Sequence, residues 1–140
     1  MSEIVRLATT ADFFPDLEVD YLDLLEVPYK VGGRLGGSGI DCIGVVLEIY
    51  RRAGLGLPDP AREGSSIFDF AALFEPVPAA DQLYDLVNIR RESNHVGVLV
   101  RPGVVVSAKA IVGTYTARLN AIRAIAGVEF FRVRDASLPT

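Results

Sequence analysis

The chain contains one cysteine and one histidine. Cys42 stands where a glycine-rich run gives way to an apolar stretch, and His95 opens the strand-like run Val96-Gly97-Val98-Leu99-Val100. A thiol attacks as its thiolate, and its ordinary pKa of about 8.5 falls beside a helix N-terminus or an imidazole. Both aids are available to Cys42, so the pair suits nucleophilic acyl transfer, with the thiolate favoured by the helix N-terminus. The other reading is a buried small hydrophobe for Cys42 and a carbonyl-bonded strand-edge residue for His95.

Competing chemistries fail on spacing. A P-loop needs Gly-Lys-Ser/Thr after its glycines, whereas Gly39 is followed by Ile40-Asp41. A thiol phosphatase needs an arginine where this chain has Glu48, and Cys-x-x-Cys redox exchange is excluded by Val45. A zinc site would have to be completed by carboxylates with no recognisable ligand spacing, so neither metal nor organic cofactor is expected.

The elements that must position the pair follow from periodicity. Residues 17 to 26 place Leu17, Tyr21, Leu24 and Leu25 on one face at helical spacing, and Val27-Pro28 ends that predicted helix. Residues 32 to 39 hold five glycines in eight positions, a backbone-shaped loop that delivers the chain to Asp41-Cys42. From Cys42 to Arg52 apolar residues cover much of the circumference, the pattern of a helix buried on more than one side, stopped at Gly54.

A short helix is predicted over Ser66 to Phe74, with Ile67, Phe70, Ala71 and Phe74 inward. The period then becomes strand-like over Leu83 to Ile89, Val96 to Val100, Val104 to Ala108 and Val128 to Val133. Arg101-Pro102-Gly103 forms a turn, and Thr116 to Ile125 reads as a helix. Helices first and strands afterwards indicate an α+β domain with an antiparallel sheet. With no repeat or linker, residues 1 to 140 read as a single domain.

A half-hydrophobic composition suffices for a core without disulfides, and a net charge of −4 argues against nucleic acid as partner. Arg90-Arg91 and the Arg118, Arg123, Arg132, Arg134 series read as a solvated face, although scattered arginines would also suit a carboxylate-rich polymer. No stretch approaches the ~18 apolar residues of a membrane span. The start lacks a basic segment followed by an apolar one, so a cytoplasmic location as synthesised is expected.

Four blocks carry a family resemblance: Pro28-Tyr29-Lys30-Val31-Gly32-Gly33, Gly39-Ile40-Asp41-Cys42-Ile43-Gly44-Val45-Val46, Tyr84-Asp85-Leu86-Val87 and His95-Val96-Gly97-Val98. In order and spacing they resemble the NlpC/P60 cysteine peptidases, most of all the short members encoded with phage tails, over residues 17 to 134. The resemblance implies a papain-like α+β fold with the nucleophile helix packed on an antiparallel sheet. It also implies hydrolysis of peptidoglycan stem peptides between γ-D-glutamyl and a diamino acid. Phage tail proteins are implied as further partners, in a phage or phage-like particle.

Carried over by position, Cys42 matches the nucleophile, His95 the base, and Tyr29 a tyrosine over the thiol that helps hold the oxyanion or substrate. Asp41 matches an acidic residue associated with the substrate's free amine, and it is equally a candidate N-cap. Ile43 stands where a serine is usual and so removes a hydroxyl from the expected substrate groove. Gly97, on the face of His95, is expected to let the helix approach. The third polar residue of the family aligns with Ser107, a weaker orienter of imidazole than a charged group. Lys109, on the same face, would oppose protonation of the ring. The alternative function is a catalytically silent structural module in tail assembly.

Overall fold

The computed structural model describes residues 5–6, 18–60, 70–90 and 94–134. Its centre is a six-stranded antiparallel sheet in the order β3-β8-β4-β5-β6-β7. The strands are β3 (Phe74–Val77), β4 (Leu86–Arg90), β5 (Asn94–Arg101), β6 (Val104–Lys109), β7 (Gly113–Arg118) and β8 (Gly127–Val133). Two helices accompany it among the described residues, α1 (Cys42–Arg52) and α2 (Leu119–Ile125), with a 3-10 turn at Leu22–Glu26. A separate pair joins β1 (Val5–Arg6) antiparallel to β2 (Leu55–Gly56). This is a small α+β domain, as the order of periodicities predicts.

Strand alternation explains why the central runs are apolar without a break. Leu86, Val98 and Val106 face α1 and pack with Val45, Val46 and Ile49. Val87, Leu99 and Val105 face the other way and pack with Leu119 and Ile122 of α2. A sheet covered on both sides needs hydrophobes at both parities. Each fully buried Val or Leu contributes roughly 1.5–3 kcal/mol.

Helix α1 begins and ends where its sequence directs. The side chain of Asp41 caps it by accepting from Gly44 N, and Gly54, at φ +99°, takes the left-handed conformation beyond its end. Its buried face includes Glu48, whose carboxylate is bound by Arg51 and Arg52. Arg52 also grips Asp23 at 2.6 and 2.8 Å, tying the helix to the 3-10 turn.

Several expected elements differ. The predicted helix over 17 to 26 is only the 3-10 turn Leu22–Glu26; Leu17 lies outside the described residues. Its bonds, Leu24 N to Tyr21 O and Val27 N to Leu24 O, are both 3.0 Å, and before it Leu22 N bonds to Asp20 Oδ1 at 3.1 Å, a local turn that competes with a longer helix. Of the helix expected over Ser66 to Phe74, residues 66 to 69 lie outside the described residues. Phe70 and Ala71 are helical, whereas Phe74 starts β3 opposite Val133, and Ala71 is exposed. Thr116 to Arg118 belong to β7, not to the helix that follows.

The strand expected from Leu83 starts at Leu86, because Tyr84, at φ +72°, makes a corner. That corner is locked by Tyr84 N to Leu99 O at 2.7 Å and by the Tyr50 hydroxyl donating to Tyr84 O. Beside it Asp85 is fully buried and bound by Arg132 at 2.7 Å through each oxygen. Arg132 is therefore a structural cation and not part of a solvated face. Among the described residues no helix is long and apolar enough to cross a membrane.

Candidate active site

The loop from Pro28 to Ile40 folds back on itself to present the helix N-terminus. Ile40 N donates to Pro28 O at 2.9 Å, Lys30 N to Ile40 O at 3.2 Å, and Tyr29 forms a parallel bridge with Ile40. The loop then packs onto the helix at Gly44, where a Cβ would come within 2.7 Å of Gly33 O and of Ile40 Cγ1. Only glycine permits that approach, and Cys42 is the first residue of the helix that the loop leads into.

Cys42 and His95 line one cavity of about 430 Å³ between α1 and the sheet. The backbone N–H groups of Val96, the residue after His95, of Ile43 and of Cys42 itself act on the Cys42 sulfur. These donors favour thiolate. Burial opposes them and is the larger effect, Asp41 adds repulsion, and the thiol is pushed up. The expectation that the helix N-terminus would leave a ready thiolate is thus corrected: the resting group is the protonated thiol.

His95 is held by Tyr115, whose hydroxyl lies 3.2 Å from Nε2. Burial lowers the imidazole pKa and the nearby charge of Lys109 lowers it further, the effect expected of that lysine. The ring therefore rests neutral.

Ser107 does not meet the ring, contrary to the expectation for the third polar residue. Its Oγ donates to Val96 O at 2.7 Å, from the strand between His95 and Tyr115. Tyr115 lies directly opposite Ser107 in the β6–β7 register. A serine is too short to span the distance that the phenol covers. The sequence signal is the run Gly113-Thr114-Tyr115-Thr116, β-branched and aromatic, whose last residue also fits the start of the helix predicted over Thr116 to Ile125.

Ser107 has one proton and commits it to Val96 O. The contact between Tyr115 and Nε2 is a hydrogen bond whose donor follows the tautomer of the ring. Tyr115 stays protonated, since burial raises its pKa against the smaller opposing effect of Ser107.

The remaining candidates divide. Tyr29 is close enough that charge on Cys42 raises its pKa, after the larger effect of burial. Ile43 lines the cavity. Asp41 does not, and its oxygens are occupied: Oδ1 accepts from Gly44 N at 2.7 Å and from Arg34 at 2.8 Å, and Oδ2 from Gly32 N at 3.0 Å. Arg34 is in turn gripped by Asp59 at 2.7 and 2.9 Å. This is the N-cap role.

Gly97 is needed for a different reason from the one expected. A Cβ there would collide with Val105 Cγ1 and come within 3.4 Å of Ser107 Cβ, so it accommodates β6 and not the helix. Among the described residues no cluster of His, Cys, Asp and Glu could hold a metal ion. Compared with known proteins, the chain matches no family model and no curated protein.

Proposed function

We propose that this protein is a thiol hydrolase of the NlpC/P60 type, with a papain-like fold, that cleaves an amide bond of cell-wall stem peptides through an acyl-enzyme on Cys42. The observation that carries the reading is the convergence of the one thiol and the one imidazole on a single cavity, with Nε2 of the imidazole already tied. The packing of α1 on β5 and β6 supports the papain-like arrangement. The stem-peptide substrate rests on the resemblance alone.

Because thiol and imidazole both rest neutral, His95 works as a general base and not as half of a preformed ion pair. Nδ1 takes the thiol proton as sulfur attacks the carbonyl. The oxyanion is received by the N–H groups at the start of α1 and by the Tyr29 hydroxyl. The imidazolium then returns the proton to the leaving amine, and a thioester remains on Cys42. In the second half Nδ1 deprotonates a water that attacks the thioester, and the carboxylic acid departs with the thiol restored. Throughout, Nε2–H stays on Tyr115.

The test is incubation with purified muropeptides and mass spectrometry of the products. The reading expects a pair of fragments whose masses sum to substrate plus water, absent in Cys42→Ala. Intact muropeptides, with no acyl adduct trapped on Cys42 at early times, would refute it. A second reading, a silent module in tail assembly, is favoured by one observation: burial keeps the thiol protonated. It expects Cys42→Ala and His95→Ala to leave particle assembly intact.

A further inference from the structure

We propose that the cavity beside Cys42 is an apolar acyl subsite, so that the carbonyl attacked belongs to an uncharged, hydrophobic group. This rests on the thiol-hydrolase chemistry of Cys42 and departs from the γ-glutamyl substrate, whose acyl group carries a free carboxylate. Beyond the catalytic pair, the described lining comes from Ile43 and Val46 of α1, Phe74 of β3, Leu86 of β4, Val96 of β5 and Phe131 of β8, with Phe70 and Ala71 beside them. Its remaining polar side chain is Asn88, whose amide already donates to Glu129 Oε1 at 3.1 Å. No lining residue among those described carries a permanent charge.

Asp41, beside the nucleophile, does not line the cavity, and its carboxylate already accepts from Gly32, Gly44 and Arg34. A carboxylate or ammonium entering such a cavity would lose its hydration with nothing to replace it. An alkyl group gains with each carbon buried, and the increment per methylene corresponds to about three- to fourfold in rate or affinity. A γ-glutamyl substrate would have to keep its free carboxylate outside the cavity. An apolar residue, or a fatty acyl group, would fill it.

The experiment measures acylation of Cys42 by p-nitrophenyl acetate, butyrate, hexanoate and octanoate, following nitrophenolate release and the mass of the intact protein. Nitrophenyl adipate serves as the carboxylate-bearing partner of hexanoate, and iodoacetamide as a small reagent that needs no subsite. The expected result is a rise of about threefold or more per methylene until the cavity is filled, with adipate at least tenfold slower than hexanoate. Ile43→Glu should abolish the chain-length preference while iodoacetamide alkylation persists, and Ile43→Leu should retain it. Equal rates for acetate and octanoate, or for hexanoate and adipate, would overturn the subsite and leave the thiol-hydrolase reading standing. If no ester acylates Cys42 in protein that is folded by circular dichroism, both proposals fall.

Discussion

The phenol of Tyr115 stands 3.2 Å from Nε2 of His95, and the ring has no carboxylate among the groups that shift it. A neutral hydroxyl can fix the tautomer of an imidazole but adds no charge to stabilise the imidazolium. That arrangement orients the base without making it stronger.

Tyr115→Phe keeps the ring packed and removes only the hydroxyl. The ring-nitrogen chemical shifts of His95 are expected to change from one fixed Nε2–H tautomer to a mixture. Acylation of Cys42 should slow by about tenfold, the equivalent of one ordinary hydrogen bond. Unchanged nitrogen shifts in the variant would show that the phenol does not set the tautomer.

The alkylation rate of Cys42 should climb with pH only beyond the ordinary thiol range, because burial pushes the group up against the three N–H donors that favour thiolate. Iodoacetamide rates measured from pH 6 to 10 and compared with free cysteine test this. A plateau already reached at neutral pH would mean that the donors win.

His95 gives a signed pH effect. Its folded pKa is lowered below the ordinary value of about 6.5, so the folded state prefers the neutral ring. The stability linked to it is complete above the unfolded pKa and is lost as pH falls through the folded one. His95→Asn should therefore flatten that part of the melting-temperature curve lying just below pH ~6.5. The acid limb of catalysis should also lie below that pH, read as kcat/KM against pH.

Asp41→Ala removes a helix cap and one partner of the buried Arg34, which is 8% exposed. The expected loss is about 2 to 3 kcal/mol, measured as a lower urea midpoint with unchanged slope. A substrate-binding role would instead raise KM with stability intact.

Ile111, fully exposed, sits at φ +73°, a left-handed conformation that costs a β-branched residue about 1 kcal/mol. Ile111→Gly should raise the melting temperature by a few degrees, since glycine adopts that conformation freely.

The parts of this molecule that were legible in the sequence are those governed by local rules. Cys42 to Arg52 is helical because its apolar positions, the Asp41 cap and the Gly54 stop agree, and the Arg101-Pro102-Gly103 turn follows from its residues alone. What escaped was set by pairing at a distance. Phe74 reads as helical by spacing but becomes a strand because β8 lies beside it. Tyr115 could be matched with His95 only by knowing that β6 and β7 align Ser107 with it. Asp41 looked available because the sequence does not reveal that Arg34, held by Asp59, would reach it.

The orienting phenol belongs to β7, the last strand of the sheet among the described residues, with a ladder partner there on one flank only and an anchor at Thr114 N to Val27 O of 3.3 Å. Outer strands open at lower free energy than the centre. Warming would loosen this margin first, letting the base wander while the interior stays native. The temperature up to which the site keeps its geometry would then be set at its rim, and stiffening β7 would extend it without touching the core.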